Sequence, residues 1–127
     1  MCGIVGYIGP RDTVSILLEG LRRLEYRGYD SSGIAMVNDS QQISLQRSVG
    51  RVDALAHKVE STNLDGTVGI GHTRWATHGA ATEPNAHPHV GGNQALVLVH
   101  NGVVENYLPL RQTLENDGVR FQSETDT

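Results

Sequence analysis

Up to His72, short stretches of strand and helix periodicity follow one another almost without a break; from Thr73 to Asn93 periodicity disappears. Gly3-Ile4-Val5-Gly6-Tyr7-Ile8 reads as a short apolar strand, ended by Gly9-Pro10. Asp12 suits the N-cap of a helix in which Val14, Leu17, Leu18, Leu21 and Leu24 recur three and four residues apart. Gly28 suits a left-handed stop for it. Strands are expected from Gly33 to Val37 and from Ile43 to Val49, around a turn at Asn38-Asp39-Ser40. A helix from Arg51 to Ser61, with Val52, Leu55, Ala56 and Val59 on one face, precedes a strand from Thr67 to His72. Past the gap, Gln94 to His100 is apolar enough for a strand buried on both faces. Asn101-Gly102 is a turn, and Asn106 suits the cap of a last helix, Tyr107 to about Asn116. Pro109 is tolerated in its first turn and Gly118 ends it. The order βαββαββα predicts a mixed α/β layered fold.

The length of 127 residues allows at most one domain. With 38% hydrophobic and 19% charged residues the chain is expected to be globular, not disordered. A net charge of −4 argues against nucleic acid or an anionic membrane as partner, and 5% aromatics against base stacking. The single cysteine excludes an intramolecular disulfide and a multi-cysteine zinc site. The longest apolar run, Ala95 to Val99, is far too short for a membrane helix. No secretory signal is read at the N-terminus, so a cytoplasmic location is expected.

A long unpatterned loop inside a compact domain points to function, so Thr73 to Asn93 is the first place to look for chemistry. The second is Cys2. Taken alone, a lone cysteine is most often a small buried hydrophobe. Next to the initiator it has another use: removal of Met1 leaves a thiol and a free α-amine on one residue. An α-amine titrates near ~7.7–8.0, so this residue carries its own general base. His72, His78, His87, His89 and His100 are dense enough to suggest a metal, yet no cysteine or carboxylate completes a ligand spacing, and none is expected.

Met1-Cys2-Gly3-Ile4-Val5-Gly6 resembles the start of the glutamine amidotransferases that use an N-terminal cysteine. Four further segments narrow the resemblance: Leu24 to Gly33 (Leu-Glu-Tyr-Arg-Gly-Tyr-Asp-Ser-Ser-Gly), Gly71 to Gly79 (Gly-His-Thr-Arg-Trp-Ala-Thr-His-Gly), His100-Asn101-Gly102 and Ser123-Glu124-Thr125-Asp126-Thr127. In this order, from Met1 to Thr127, they resemble the glutamine–fructose-6-phosphate aminotransferase family. The resemblance implies an α+β fold of the N-terminal-nucleophile hydrolase type, a four-layer α/β/β/α sandwich that is incomplete in this chain. Residues 1–127 would form the N-terminal part of a type-2 glutamine amidotransferase (glutaminase) domain, with the isomerase domains that bind fructose 6-phosphate absent.

By resemblance, Cys2 is the nucleophile, and Asn101 (side chain) and Gly102 (backbone N–H) form the oxyanion hole. Arg74 grips the α-carboxylate of L-glutamine, Asp126 pairs with its α-amine, and Thr77 and His78 support it. Trp75 corresponds to the aromatic of a closing loop, although a core aromatic would read the same. Arg27 supports the N-terminal region. No cofactor and no metal are implied, and the full-length enzyme is expected to be a homo-oligomer. Two alternatives stay open: a glutaminase domain of another N-terminal-cysteine amidotransferase, and a non-catalytic glutamine-binding or assembly fragment.

Overall fold

A computed structural model describes residues 1–77 and 79–127. Four strands form one antiparallel sheet: β1 (Gly3–Ile8), β2 (Ser31–Val37), β3 (Ile43–Val49) and β4 (Val68–Arg74), in the spatial order β1-β4-β2-β3. Register places Ile4 and Gly33 on either side of His72, and Ser31 opposite Arg74.

One face of this sheet carries two helices, α1 (Thr13–Leu24) and α2 (Val52–Glu60). Asp12 caps α1 as expected, its carboxylate accepting the Ser15 N–H at 3.3 Å. Leu17, Leu18 and Leu21 of α1 and Val52, Leu55, Ala56 and Val59 of α2 pack with Ile34 and Met36 as the core. Each such large side chain contributes about 1.5–3 kcal/mol when fully buried. Glycine alternation in β4 lets α1 come this close. A Cβ on Gly69 would meet Leu17 at 2.8 Å, and one on Gly71 would meet Leu21 at 3.1 Å. The other parity of β4 (Ile70, His72, Arg74) therefore faces away from the helices.

The remaining elements are β5 (His89–Gly91), which pairs antiparallel with β6 (Leu96–Leu98), and α3 (Tyr107–Asn116). Pro109 lies in the first turn of α3, and Gly118 follows it at φ +91.

Four local expectations are corrected. Gly28 is extended (φ 160), not left-handed, because a short 3₁₀ turn, Glu25–Arg27, follows α1 and ends its hydrogen bonding at Glu25. Gln94 to His100 is not a doubly buried strand. Only Leu96–Leu98 pairs, and Leu96 and Leu98 are exposed. The loop from Thr73 to Asn93 contains the end of β4 and all of β5, strands too short to show a period. Asn106 flanks α3 but makes no side-chain cap.

Glu25 connects the 3₁₀ turn to α2. Arg51, at the N-cap, offers no capping side chain, so Glu25 Oε1 accepts the Val52 N–H at 2.8 Å and its other oxygen lies 3.6 Å from the Arg51 guanidinium. A distant carboxylate thus replaces the usual Ser or Asp cap.

Candidate active site

β1 and β4 are neighbours, so the residue before β1 meets the residue after β4. The Trp75 backbone N–H donates to Cys2 Sγ at 3.3 Å, and Sγ lies 3.8 Å from the Trp75 carbonyl. Cys2 is a free, half-buried thiol. Asn101 reaches the same place, its Nδ2 donating to the Cys2 carbonyl at 3.2 Å. Gly102 follows; a Cβ there would stand 2.7 Å from His100 Nε2, so only glycine fits beside that ring. Around these groups lies a cavity of about 40 Å³ lined by Cys2, His72, Arg74, Trp75, Thr77, His87, His100, Gly102, Thr125, Asp126 and Thr127. Small-molecule pockets are usually ~300 Å³ or more, so admitting an amino acid requires this one to widen. A larger cleft, about 550 Å³, runs between α1 and α2, but it holds neither a thiol nor an imidazole.

Arg74 is 4% exposed, and its guanidinium donates to the carbonyls of Ala80 at 3.1 Å and Gly79 at 3.3 Å. Asp30 stands behind it at 3.9 Å, and the same carboxylate accepts the Ala76 N–H and the Ser31 hydroxyl. Asp30 therefore fixes both Arg74 and the start of the loop after β4. The loop's far end is held by Asn85, which is 1% exposed. Its Nδ2 donates to the Ala80 carbonyl at 3.0 Å and to Glu124 at 3.1 Å, while its Oδ1 accepts the Glu124 N–H at 2.8 Å. Two residues beyond Glu124, Asp126 Oδ2 accepts the Val104 N–H at 2.6 Å. Arg111 of α3 holds the same segment through the Ser123 carbonyl at 2.9 Å. A cationic residue, Arg74, and an anionic one, Asp126, thus both line the one cavity.

His72, His87 and His89 pack on the face of the sheet opposite the helices. His72 and His87 stack with centroids 4.3 Å apart, and His89 lies 4.3 Å beyond His87. The His100 N–H donates to His87 Nδ1 at 3.4 Å; His89 Nε2 meets the Thr125 hydroxyl and His100 Nδ1 the Thr127 hydroxyl, each at 3.1 Å. Burial pushes the His87 pKa down to about 2, helped by His72 and His89. Burial, then Arg47 and Arg74, pushes His89 down to about 4. The His87 and His89 imidazoles are neutral near pH 7 and act as packing and hydrogen-bonding groups.

Of the residues singled out in the sequence, Cys2, Arg74, Trp75, Thr77, Gly102 and Asp126 line the cavity, and Asn101 touches Cys2. His78 lies outside the described residues. The Trp75 ring is 52% exposed and meets Tyr29 edge-on at 6.4 Å, so it is not a core aromatic. Arg27 meets the N-terminus through its carbonyl, which accepts the Met1 amine at 2.6 Å. Sequence reasoning missed His72, Asp30 and Asn85 as individual site residues. His72 and Asp30 lie inside quoted motifs; Asn85 carries no sequence signal.

The model of the glutamine amidotransferase domain matches residues 45–127. Among curated relatives, the glutamine–fructose-6-phosphate aminotransferases (isomerizing) of Thermus thermophilus and Bacteroides thetaiotaomicron are 58% and 52% identical over the whole chain. The chain spans about a fifth of their length, 21% in both. Among solved structures, the glutamine phosphoribosylpyrophosphate amidotransferase of B. subtilis covers 98% of this chain, with a TM-score of 0.81 at 30% identity; the chain covers 27% of it. This likeness bears out the N-terminal-nucleophile class of fold. Of its layers, the chain supplies an outer helical pair, the four-stranded sheet, the two-stranded β5–β6 sheet and α3. On the domain match and the shared fold together, the chain belongs to the glutamine amidotransferase family.

Proposed function

We propose that this chain carries the glutaminase chemistry of a glutamine–fructose-6-phosphate aminotransferase, hydrolysing glutamine to glutamate and ammonia. The observation that carries the reading is the convergence of Cys2, Arg74, Gly102 and Asp126, from both ends and the middle of the chain, on one cavity, with Asn101 bonded to Cys2 beside it. With Met1 attached, the Cys2 nitrogen is an amide and accepts no proton. Its removal frees an α-amine, which takes the thiol proton as sulfur attacks the side-chain amide carbon of glutamine. The oxygen of that carbon becomes an oxyanion, met by the Asn101 side-chain NH₂ and the Gly102 N–H. The C–N bond then breaks, and ammonia leaves with the proton returned by the amine. A γ-glutamyl thioester remains on Cys2; water attacks it, glutamate departs and the thiol is restored.

Arg74 pairs with the substrate α-carboxylate and Asp126 with its α-amine, which selects a free amino acid over a peptide. Thr77 and His78 support the substrate, Trp75 closes over it, and Arg27 steadies the N-terminus. In the complete protein the ammonia aminates fructose 6-phosphate to glucosamine 6-phosphate on isomerase domains that residues 1–127 do not contain. That protein is assigned to the cytoplasm as a homo-oligomer, without nucleic-acid or membrane partners. Identities of 52–58% to the fructose-6-phosphate enzymes, against 30% to the phosphoribosylpyrophosphate enzyme, favour this acceptor.

The test is the intact mass of the complete gene product carrying this sequence, before and after an electrophilic glutamine analogue. The expected result is loss of Met1 and one adduct on Cys2 that excess glutamine suppresses. Glutamine turnover retained in Cys2→Ala would overturn the reading.

A further inference from the structure

An oxyanion role for Asn101 requires its NH₂ end to face Cys2, and an asparagine amide has no intrinsic reason to point one way round. Its two neighbours decide the matter. One end lies 3.2 Å from the Cys2 carbonyl, a group that only accepts, so that end is the NH₂. The other end, Oδ1, then lies 2.8 Å from His72 Nε2. An oxygen there needs a donor, so the His72 proton sits on Nε2. The opposite nitrogen, Nδ1, is buried with no hydrogen-bond partner. Burial lowers the His72 pKa against the Asn101 hydrogen bond and the His100 backbone, which raise it, so the neutral ring with its one proton is favoured. The ring is 1% exposed and stacks on His87 with only 24° between planes, so its donor has a fixed direction.

We propose that His72 is a positioning residue for the oxyanion hole: its Nε2–H locks the Asn101 side chain so that the NH₂ end faces Cys2 and the reacting amide oxygen. One amide hydrogen is held by the Cys2 carbonyl, and the other remains for the oxyanion. His72 touches neither substrate nor thiol in this role. The inference rests on the glutaminase reading and deepens it.

The experiment compares His72→Gln and His72→Asn in the complete gene product. A glutamine side chain places an NH₂ near the Nε2 position, whereas an asparagine places it near Nδ1 and leaves Asn101 Oδ1 unpaired. His72→Asn should lower kcat for glutamine hydrolysis about 100-fold with KM within about threefold, the pattern of a lost transition-state interaction. His72→Gln should bring kcat back to within about tenfold of the parent. Should the Gln variant fail to fold, ¹⁵N spectra of histidine-labelled parent protein decide, because the lock requires a protonated Nε2 and a bare Nδ1 on His72. A reversed tautomer, equal kcat in the two variants, or a loss confined to KM overturns the proposal while the parent remains an active glutaminase. A parent that does not hydrolyse glutamine overturns the glutaminase reading itself, and this proposal with it.

Discussion

Buried neutral imidazoles make this fold sensitive to acid. His87 and His89 are 5% and 9% exposed, and their pKa values are pushed down to about 2 and about 4, by burial first and by neighbouring imidazoles and guanidinium groups next. In the unfolded chain both titrate near ~6.5. Below that pH the unfolded state binds protons that the folded state refuses, so stability falls as pH falls. The loss starts near ~6.5 and continues down to about 4 for His89 and about 2 for His87. Between pH 7 and 5 each site contributes about 2 kcal/mol of this loss, about 3–4 kcal/mol for the pair. Set against a typical domain stability of about 5–15 kcal/mol, that removes from about a fifth to about four fifths of the total. Hydrogen exchange of β2 and β4 amides measures local opening without assuming that a larger protein unfolds in one step. Opening free energies should fall by about 3–4 kcal/mol more in the parent than in a His87→Asn, His89→Asn double variant over this range. Equal pH dependence in parent and double variant would refute the burial argument.

Three further perturbations test other contacts. Gly33→Ala places a Cβ well inside contact distance of the His87 carbonyl, with the Arg47 side chain and Gln46 carbonyl behind it, so nothing can yield cheaply. It should destabilise the protein by about 1–3 kcal/mol and lower glutaminase activity, and unchanged melting would sink this reading. A chain whose Met1 cannot be removed keeps an amide at Cys2 and should lose about 10²–10⁴-fold in glutamate release, the usual worth of a general base; full activity would refute the self-base mechanism. Glu25→Ala removes the acceptor of the Val52 N–H and should cost about 1 kcal/mol, seen as faster exchange of the first amides of α2, whereas Glu25→Gln should cost less.

The outer half of this molecule was open to sequence reasoning because each of its elements writes its own period. The leucines of α1 and the apolar face of α2 repeat at helical spacing and are the residues found in the core. Asp12 is a local cap, and its effect is read within four residues. Glu25 and Asn85 act differently. Their partners lie 27 residues and as many as 39 residues away in sequence, at Val52 and Glu124, and no local pattern announces a contact that only the folded chain creates. β5 and β6 fail for a related reason: three residues give no measurable alternation, and pairing across the turn from Gly92 to Ala95 makes them strands.

β4 shows how the two kinds of information combine. Its glycines at 69 and 71 face α1, where the lack of a side chain lets Leu17 and Leu21 pack against the sheet. On the opposite parity the same strand presents His72 and Arg74 to the cavity. Period two forces this division: any residue that tightens the core on one face sets the direction of its neighbours on the other. A slip of one residue against β1 or β2 would turn the imidazole and guanidinium into the leucines of α1 and bring glycines to the site. Close packing of α1 therefore also defines where His72 meets Asn101, and the core and the oxyanion hole share one register.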